Sequence, residues 1–263
     1  MEAVPVYELV ESLMQRLDVC WTFMLLLSRY AIFFLTVPGI GGGPAGLVIR
    51  YPAVVALSLL SLDLNHVAPL PPNAVSMAGH FISELVLGGV VGMIPILIVA
   101  GAQTAGHLAS GTMGLNGAQM VDPTTSTSLS DLARIYSDIS VLIFLMVDGH
   151  HVAIQQLATF SQSVTPGTFM LSEGGINLLI EHSARVFEMG CLMAAPVIVA
   201  LLLTNFVLGI VSKAVPSVNV FMLSFPLTIG IGLTLSMLAL PEMLYFLARQ
   251  FTGLEGFFIA LAR

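Results

Sequence analysis

GHLASGTMGLNGAQMVDPTTSTSLSD, residues 106–131, decides how the chain is read. Long apolar runs lie on both sides of it. The segment itself is rich in Gly, Ser and Thr, and it contains Asp122-Pro123. Glycine lowers helix stability and proline offers no N–H, so the pattern predicts that no continuous helix passes through it. Irregular backbone between membrane-grade helices must be wetted or covered by protein. The segment is therefore expected to line a passage, to plug one, or to lie at a membrane face.

Composition agrees with that setting. Of 263 residues, 57% are hydrophobic and only 9% are charged, against about 25% charged in a soluble domain. That is too little charge to cover a water-facing surface, so the chain reads as a membrane or membrane-complex protein. The formal net charge of −7 and the absence of a basic patch exclude nucleic acid as a partner. Cys20 and Cys191 lie in apolar surroundings and read as buried thiols. The N-terminus is acidic and lacks the cationic start of a signal peptide. Val6, Leu9, Val10, Leu13 and Leu17 recur at helical spacing there, which predicts an amphipathic helix leading into the first apolar run.

Residues 19–37 have the length of a bilayer span and end at Pro38, with Arg29 inside. A cation at that depth should face protein or water, and pairing within an assembly is the expected role. Gly41, Gly43 and Gly46 match a dinucleotide-binding spacing, but no strand precedes them and no βαβ unit follows. They read as a turn. Residues 53–62 form a short apolar run, and 63–75 a Pro-rich loop. In the block 81–105, Gly88 and Gly92 lie four apart, a face for a closely packed helix, and Glu84 near its start reads as an interface charge, a partner for a buried cation, or a charge favoured by the helix dipole. The helix expected from 131 to 147 is short for a span and is interrupted at Asp148-Gly149-His150-His151. Residues 168–188 are mixed, with Glu181 and Arg185 paired at i, i+4. The blocks 189–211 and 220–248, joined by a polar turn holding Lys213 and Asn219, read as a hairpin.

Asp148, His150 and His151 suggest a metal or a proton relay, but no zinc-type spacing exists elsewhere, so no metal is expected. There is no G-x-S-x-G, H-E-x-x-H or phosphate loop, so neither a catalytic residue nor a cofactor is expected. If six apolar blocks each crossed once, Arg16, Arg185, Arg249 and Arg263 would share one side and Arg50, Arg134 and Lys213 the other. That balance does not orient the chain. The polar groups in these blocks fit helices covered by neighbouring subunits.

The order of spaced residues resembles the FliR/SctT family of type III secretion export gates, over about residues 20–235. Arg29 and Pro38, with Pro44 and Arg50, match its first segment. Glu84, Gly88 and Gly92 match its E-x-x-x-G-x-x-x-G helix. Ala105-Gly106, Met113-Gly114 and Asp122-Pro123 match its central loop. Gly149-His150, Ser161 and Pro166 follow, and Asn205, Gly209, Pro216, Asn219, Phe221 and Pro226 match its C-terminal signature. The loop departs from the family in holding Gly117, Gln119 and Met120 where aromatics are frequent, and Ser217 and Lys213 stand where Gln and Arg are common.

The resemblance implies an all-α chain of long hydrophobic helices and hairpins, one membrane-complex domain over 1–263. Residues 1–188 would be FliP-like, with a plug loop at 106–131, and 189–263 a FliQ-like hairpin. It implies a gating subunit in the bacterial inner membrane, within a flagellar or injectisome basal body. Its partners would be FliP-like and FliQ-like subunits, an FlhB-like switch protein, an FlhA-like export protein, rod or needle-base proteins, exported unfolded polypeptides and lipid. The plug would comprise Gly111, Met113, Gly114, Leu115, Asn116, Gly117, Gln119, Met120, Asp122 and Pro123. Glycines would let it bend, and the flexible methionines would let an apolar seal deform. Arg29, Glu84, Asp148, His150, Asn205, Lys213 and Asn219 are the candidate buried polar or subunit contacts. The alternative is a secondary transporter with broken helices that binds a solute or ion near Glu84, Asp148 and Asn205.

Overall fold

The structure is a computed structural model that describes residues 6–39, 44–62, 66–115, 131–215 and 220–261. Among the described residues there are eight α-helices and no strands: α1 (Val6–Thr36), α2 (Pro44–Leu62), α3 (Ala74–Met113), α4 (Asp131–Met146), α5 (Gly149–Ser163), α6 (Glu173–Ala214), α7 (Val220–Thr252) and α8 (Leu254–Leu261). Two compact units emerge. The first holds Met1–Ile96, Asp148–Leu179 and Gly253–Arg263, and the second holds Leu97–Val147 and Ile180–Thr252.

The all-helical architecture agrees with the sequence reading, but two boundaries differ. The apolar block of the sequence reads as 81–105, and α3 continues past it to Met113. A mid-helix glycine costs about 1 kcal/mol, and packing offsets it here. A Cβ at Gly106 would lie 2.4 Å from Cα of Ala133, so the missing side chain is what lets α4 approach. Residues 173–188 were read as a mixed stretch before a span, yet α6 is one helix of 42 residues. Its charged first half includes the expected Arg185–Glu181 pair at 2.5 Å, exposed on both sides.

Among the described residues, four stretches are long and apolar enough to cross a bilayer: Arg16–Thr36, Ala74–Met113, Glu173–Ala214 and Met222–Phe258. α4, with 16 residues, is shorter than the roughly 20 that a span requires. α3 and α6, at 40 and 42 residues, are each about 60 Å long at 1.5 Å per residue. A hydrocarbon core is about 30 Å thick, so each of these helices has more residues than one crossing needs.

In the first unit, α1, α2 and the N-terminal part of α3 pack through small residues. A Cβ at Gly88 would lie 2.2 Å from the carbonyl oxygen of Arg29, and one at Gly92 would lie 2.0 Å from Oγ1 of Thr36. The four-residue glycine spacing thus marks the seam with α1. Tyr30 on α1 meets Ser61 on α2 at 2.7 Å through their hydroxyls. The loop before α3 is tied back to α1: the Ala68 N–H donates to Thr22 Oγ1 at 2.9 Å, and the Leu70 N–H to Asp18 Oδ1 at 2.8 Å. Trp21, Leu25 and Ala68 form a small core there, with Phe81 edge-on to the Trp21 ring.

Candidate functional site

Two places gather the residues that the sequence singled out. The first is a buried ionic node in the first unit. Arg29 and Glu84 are both fully buried. The Arg29 guanidinium donates from Nε to Glu84 Oε2 and from Nη2 to Oε1, the second bond at 3.0 Å. Glu84 Oε1 also accepts the Gly167 N–H at 2.6 Å. Both carboxylate oxygens are therefore engaged, as a charge removed from water requires. The cation expected to find its partner in an assembly finds it within its own chain, 55 residues on.

Gly167 sits at the third position of a tight turn closed by the Thr168 N–H to Thr165 O bond of 3.1 Å. Its φ of +87° and a would-be Cβ 2.7 Å from the His80 ring leave room for glycine alone. The sequence reading used Pro166-Gly167 only as a helix stop. The node also holds the following segment on α3, where the Ser83 hydroxyl donates to Phe169 O at 2.7 Å.

The second place is the base of the central loop, in the second unit. α3 ends at Met113, and Gly114 takes φ +82° as the chain leaves the helix, with its N–H on Gly111 O at 3.2 Å. That is a left-handed helix stop. The Met113 side chain is buried at 1% exposure, and its thioether lies where a Cβ on Gly232 of α7 would go. The Thr228 hydroxyl lies 3.1 Å from Met113 O and 2.9 Å from Ser224 O, so its one proton is shared between α3's last carbonyl and its own helix. The Phe225 ring covers Gly114. On the return side, α4 begins at Asp131 and backs onto α3 through Ala133 and Gly106. Both stems of the loop are thus clamped to helices. Gly111 is exposed, and Gly114 and Leu115 are half-buried. Asn116, Gly117, Gln119, Met120, Asp122 and Pro123 lie outside the described residues.

The remaining candidates fall elsewhere. The break between α4 and α5 occurs at Asp148 as expected, with φ 57° and ψ 24°. Asp148 is exposed rather than buried, and its Oδ1 meets His151 Nδ1 at 3.0 Å. His150 is half-buried. Burial of its ring, then the neighbouring His151, lowers its pKa below 6.5 against the opposing pull of Asp148. Ligand atoms of Asp148, His150 and His151 come within 4.8 Å of one another. Asn205 and Lys213 are exposed on α6, so neither is a buried contact within the chain. Lys213 lies in the helix's last turn, where a cation suits the dipole. Asn219 lies outside the described residues.

Long apolar helices, a buried ion pair that joins two of them and a loop clamped at its base define an all-helical membrane protein, with no assembled catalytic constellation among the described residues. Residues 20–254 match the family described as bacterial export proteins, family 1, and the chain belongs to that family, one of export proteins and not of enzymes. It is 29% identical over 219 residues to the flagellar biosynthetic protein FliR of Caulobacter vibrioides, covering 82% of this chain and 87% of the relative. Over 196 residues it is 29% identical to FliR of Escherichia coli, covering 72% and 75%. It is also 21% identical over 227 residues to the Yop proteins translocation protein T of Yersinia pestis, covering 85% and 87%.

Proposed function

We propose that the chain is a subunit of a type III protein export apparatus in the bacterial inner membrane, and that its central loop closes the channel until an unfolded polypeptide passes. The observation that carries the reading is the clamped base of the loop. Thr228, Gly232 and Phe225 hold its outgoing stem, and Ala133 packed on Gly106 holds its return. A segment whose ends are fixed while its middle is rich in Gly, Ser and Thr can yield without the helices separating. The relatives are named for flagellar biosynthesis and for translocation of Yop proteins, which supports a protein as the cargo. FliP-like and FliQ-like subunits, an FlhB-like switch protein, an FlhA-like export protein and rod or needle-base proteins are the neighbours this reading implies.

Removing residues 115–120 while leaving both stems intact should raise ion conductance across membranes that carry the complete apparatus. An unchanged leak, with the shortened chain present at normal abundance, would refute the closing role. The solute-carrier reading looks to Glu84, Asp148 and Asn205; both oxygens of Glu84 already serve Arg29 and Gly167, and Asp148 and Asn205 are exposed.

A further inference from the structure

Asp148 occupies the N-cap position of α5, where an aspartate ordinarily turns its carboxylate onto the first N–H groups of the helix. Here it makes no such cap. Its φ of 57° makes it, among the described residues, the one non-glycine with left-handed backbone. The carboxylate turns instead to the first turn of α5, where Oδ1 meets His151 Nδ1 at 3.0 Å. The His150 and His151 rings lie against each other, with centroids 4.1 Å apart and planes at 35°. One ligand atom from each of the three side chains lies within 4.8 Å of the other two. In an uninterrupted helix, positions two apart point about 200° away from each other around the axis. The left-handed turn at Asp148 is what brings its carboxylate to the side of both rings.

The donor set is one carboxylate oxygen and two imidazole nitrogens. Two donors bonded to one metal at about 2.1 Å lie about 3.0 Å apart at a right angle and about 3.4 Å apart at the tetrahedral angle. The Asp148–His151 pair already has this separation. Both side chains are 70% exposed, so they have room to rotate and close the remaining gap to His150. Residues 135–184 contain no Lys or Arg, so no cationic side chain of α5 or its flanking turns competes for Asp148. Imidazole nitrogens suit zinc, copper and nickel, whereas magnesium and calcium require a shell of oxygens. The positive end of the α5 dipole opposes a loosely held cation. Attraction must therefore come from direct bonds to the three donors.

We propose that Asp148, His150 and His151 form a binding site for one divalent transition cation of the zinc type. Three protein donors leave the fourth position of a tetrahedral shell to water. The ion ties the carboxylate of the turn residue to the first turn of α5, in place of the cap that Asp148 does not make. All three residues belong to the first unit and none to the central loop. The site therefore stands whether or not that loop closes a channel.

The test titrates the full chain with zinc chloride against a chromophoric competing chelator. The chain is purified in detergent with a tag that contains no histidine and is first stripped of metal. One equivalent of zinc should bind. Asp148→Asn keeps a residue type that tolerates left-handed backbone. It should weaken binding about tenfold or more, as should His151→Gln. The double variant His150→Gln/His151→Gln should abolish binding, and His66→Gln should leave it unchanged. Zinc should raise the melting temperature of the parent and not that of the double variant. Melting of the metal-free forms separates a lost ligand from a lost fold. No bound zinc, binding that survives the double variant, a loss in His66→Gln equal to that in Asp148→Asn, or equal binding of magnesium would each overturn the proposal.

Discussion

Replacing Arg29 with Met probes the buried node most directly. The substitution keeps an unbranched side chain of similar reach and removes the guanidinium. It leaves the Glu84 carboxylate fully buried, with the Gly167 N–H as its one remaining hydrogen-bond donor. Breaking a buried pair on one side costs about 3–5 kcal/mol, a loss of roughly two to three and a half orders of magnitude in the folded population at 1.4 kcal/mol per decade. Glu84→Met should cost a similar amount, because it strands the cation and also removes the acceptor for Gly167. The double variant Arg29→Met/Glu84→Met holds no buried charge. Its remaining defect is the unsatisfied Gly167 N–H, about 1–3 kcal/mol, so it should be more stable than either single variant. Exchanging the pair, as Arg29→Glu with Glu84→Arg, restores the attraction but still offers Gly167 no acceptor, so recovery should be incomplete. Trp21, the one tryptophan in the chain, is 6% exposed in the same unit and reports unfolding by its fluorescence. Titration with sodium dodecyl sulfate in mixed micelles gives the free energies. Single variants within about 1 kcal/mol of the parent, or a double variant equal to the sum of the singles, would refute an energetically coupled buried pair.

Glycine positions separate seam from surface. Gly88→Ala places a methyl group against the Arg29 carbonyl and should sharply reduce membrane abundance, whereas Gly79→Ala meets open space and should be tolerated; equal abundance of the two would argue against the α1–α3 seam. Gly167→Ala should cost at least about 1–2 kcal/mol from its left-handed backbone, with further loss from the displaced His80 ring, seen as a lower melting temperature. Gly232→Leu fills the space held by the Met113 thioether and should shift the base of the central loop, raising ion leak with little loss of abundance; a tight membrane would count against the clamp. The lowered pKa of His150 means that the folded chain binds fewer protons than the unfolded chain as pH falls below 6.5. Stability should therefore decline from pH 6.5 down through the lowered folded value, and His150→Gln should flatten that decline in melting temperature against pH.

Hydropathy and small-residue spacing made much of this chain legible before any tertiary contact was seen. Long apolar runs with sparse charge require α-helices that satisfy their own backbone, and a four-residue glycine repeat at Gly88 and Gly92 marks a face that another helix must approach. The break at Asp148-Gly149 was readable because the residues themselves interrupt the apolar pattern. Other features were not local. Arg29 and Glu84 are each costly charges in a span, yet nothing within one helix says that they meet, since the pairing depends on how α1 and α3 pack at the glycine seam. Gly167 reads as a turn residue until the Glu84 oxygen is found on its N–H. The run of α3 through Gly106 contradicts helix propensity, and the close approach of Ala133 outweighs a deficit of about 1 kcal/mol. Local sequence governs where a helix is affordable to the backbone, whereas charge pairing and tight approach depend on which surfaces the folded chain brings into contact.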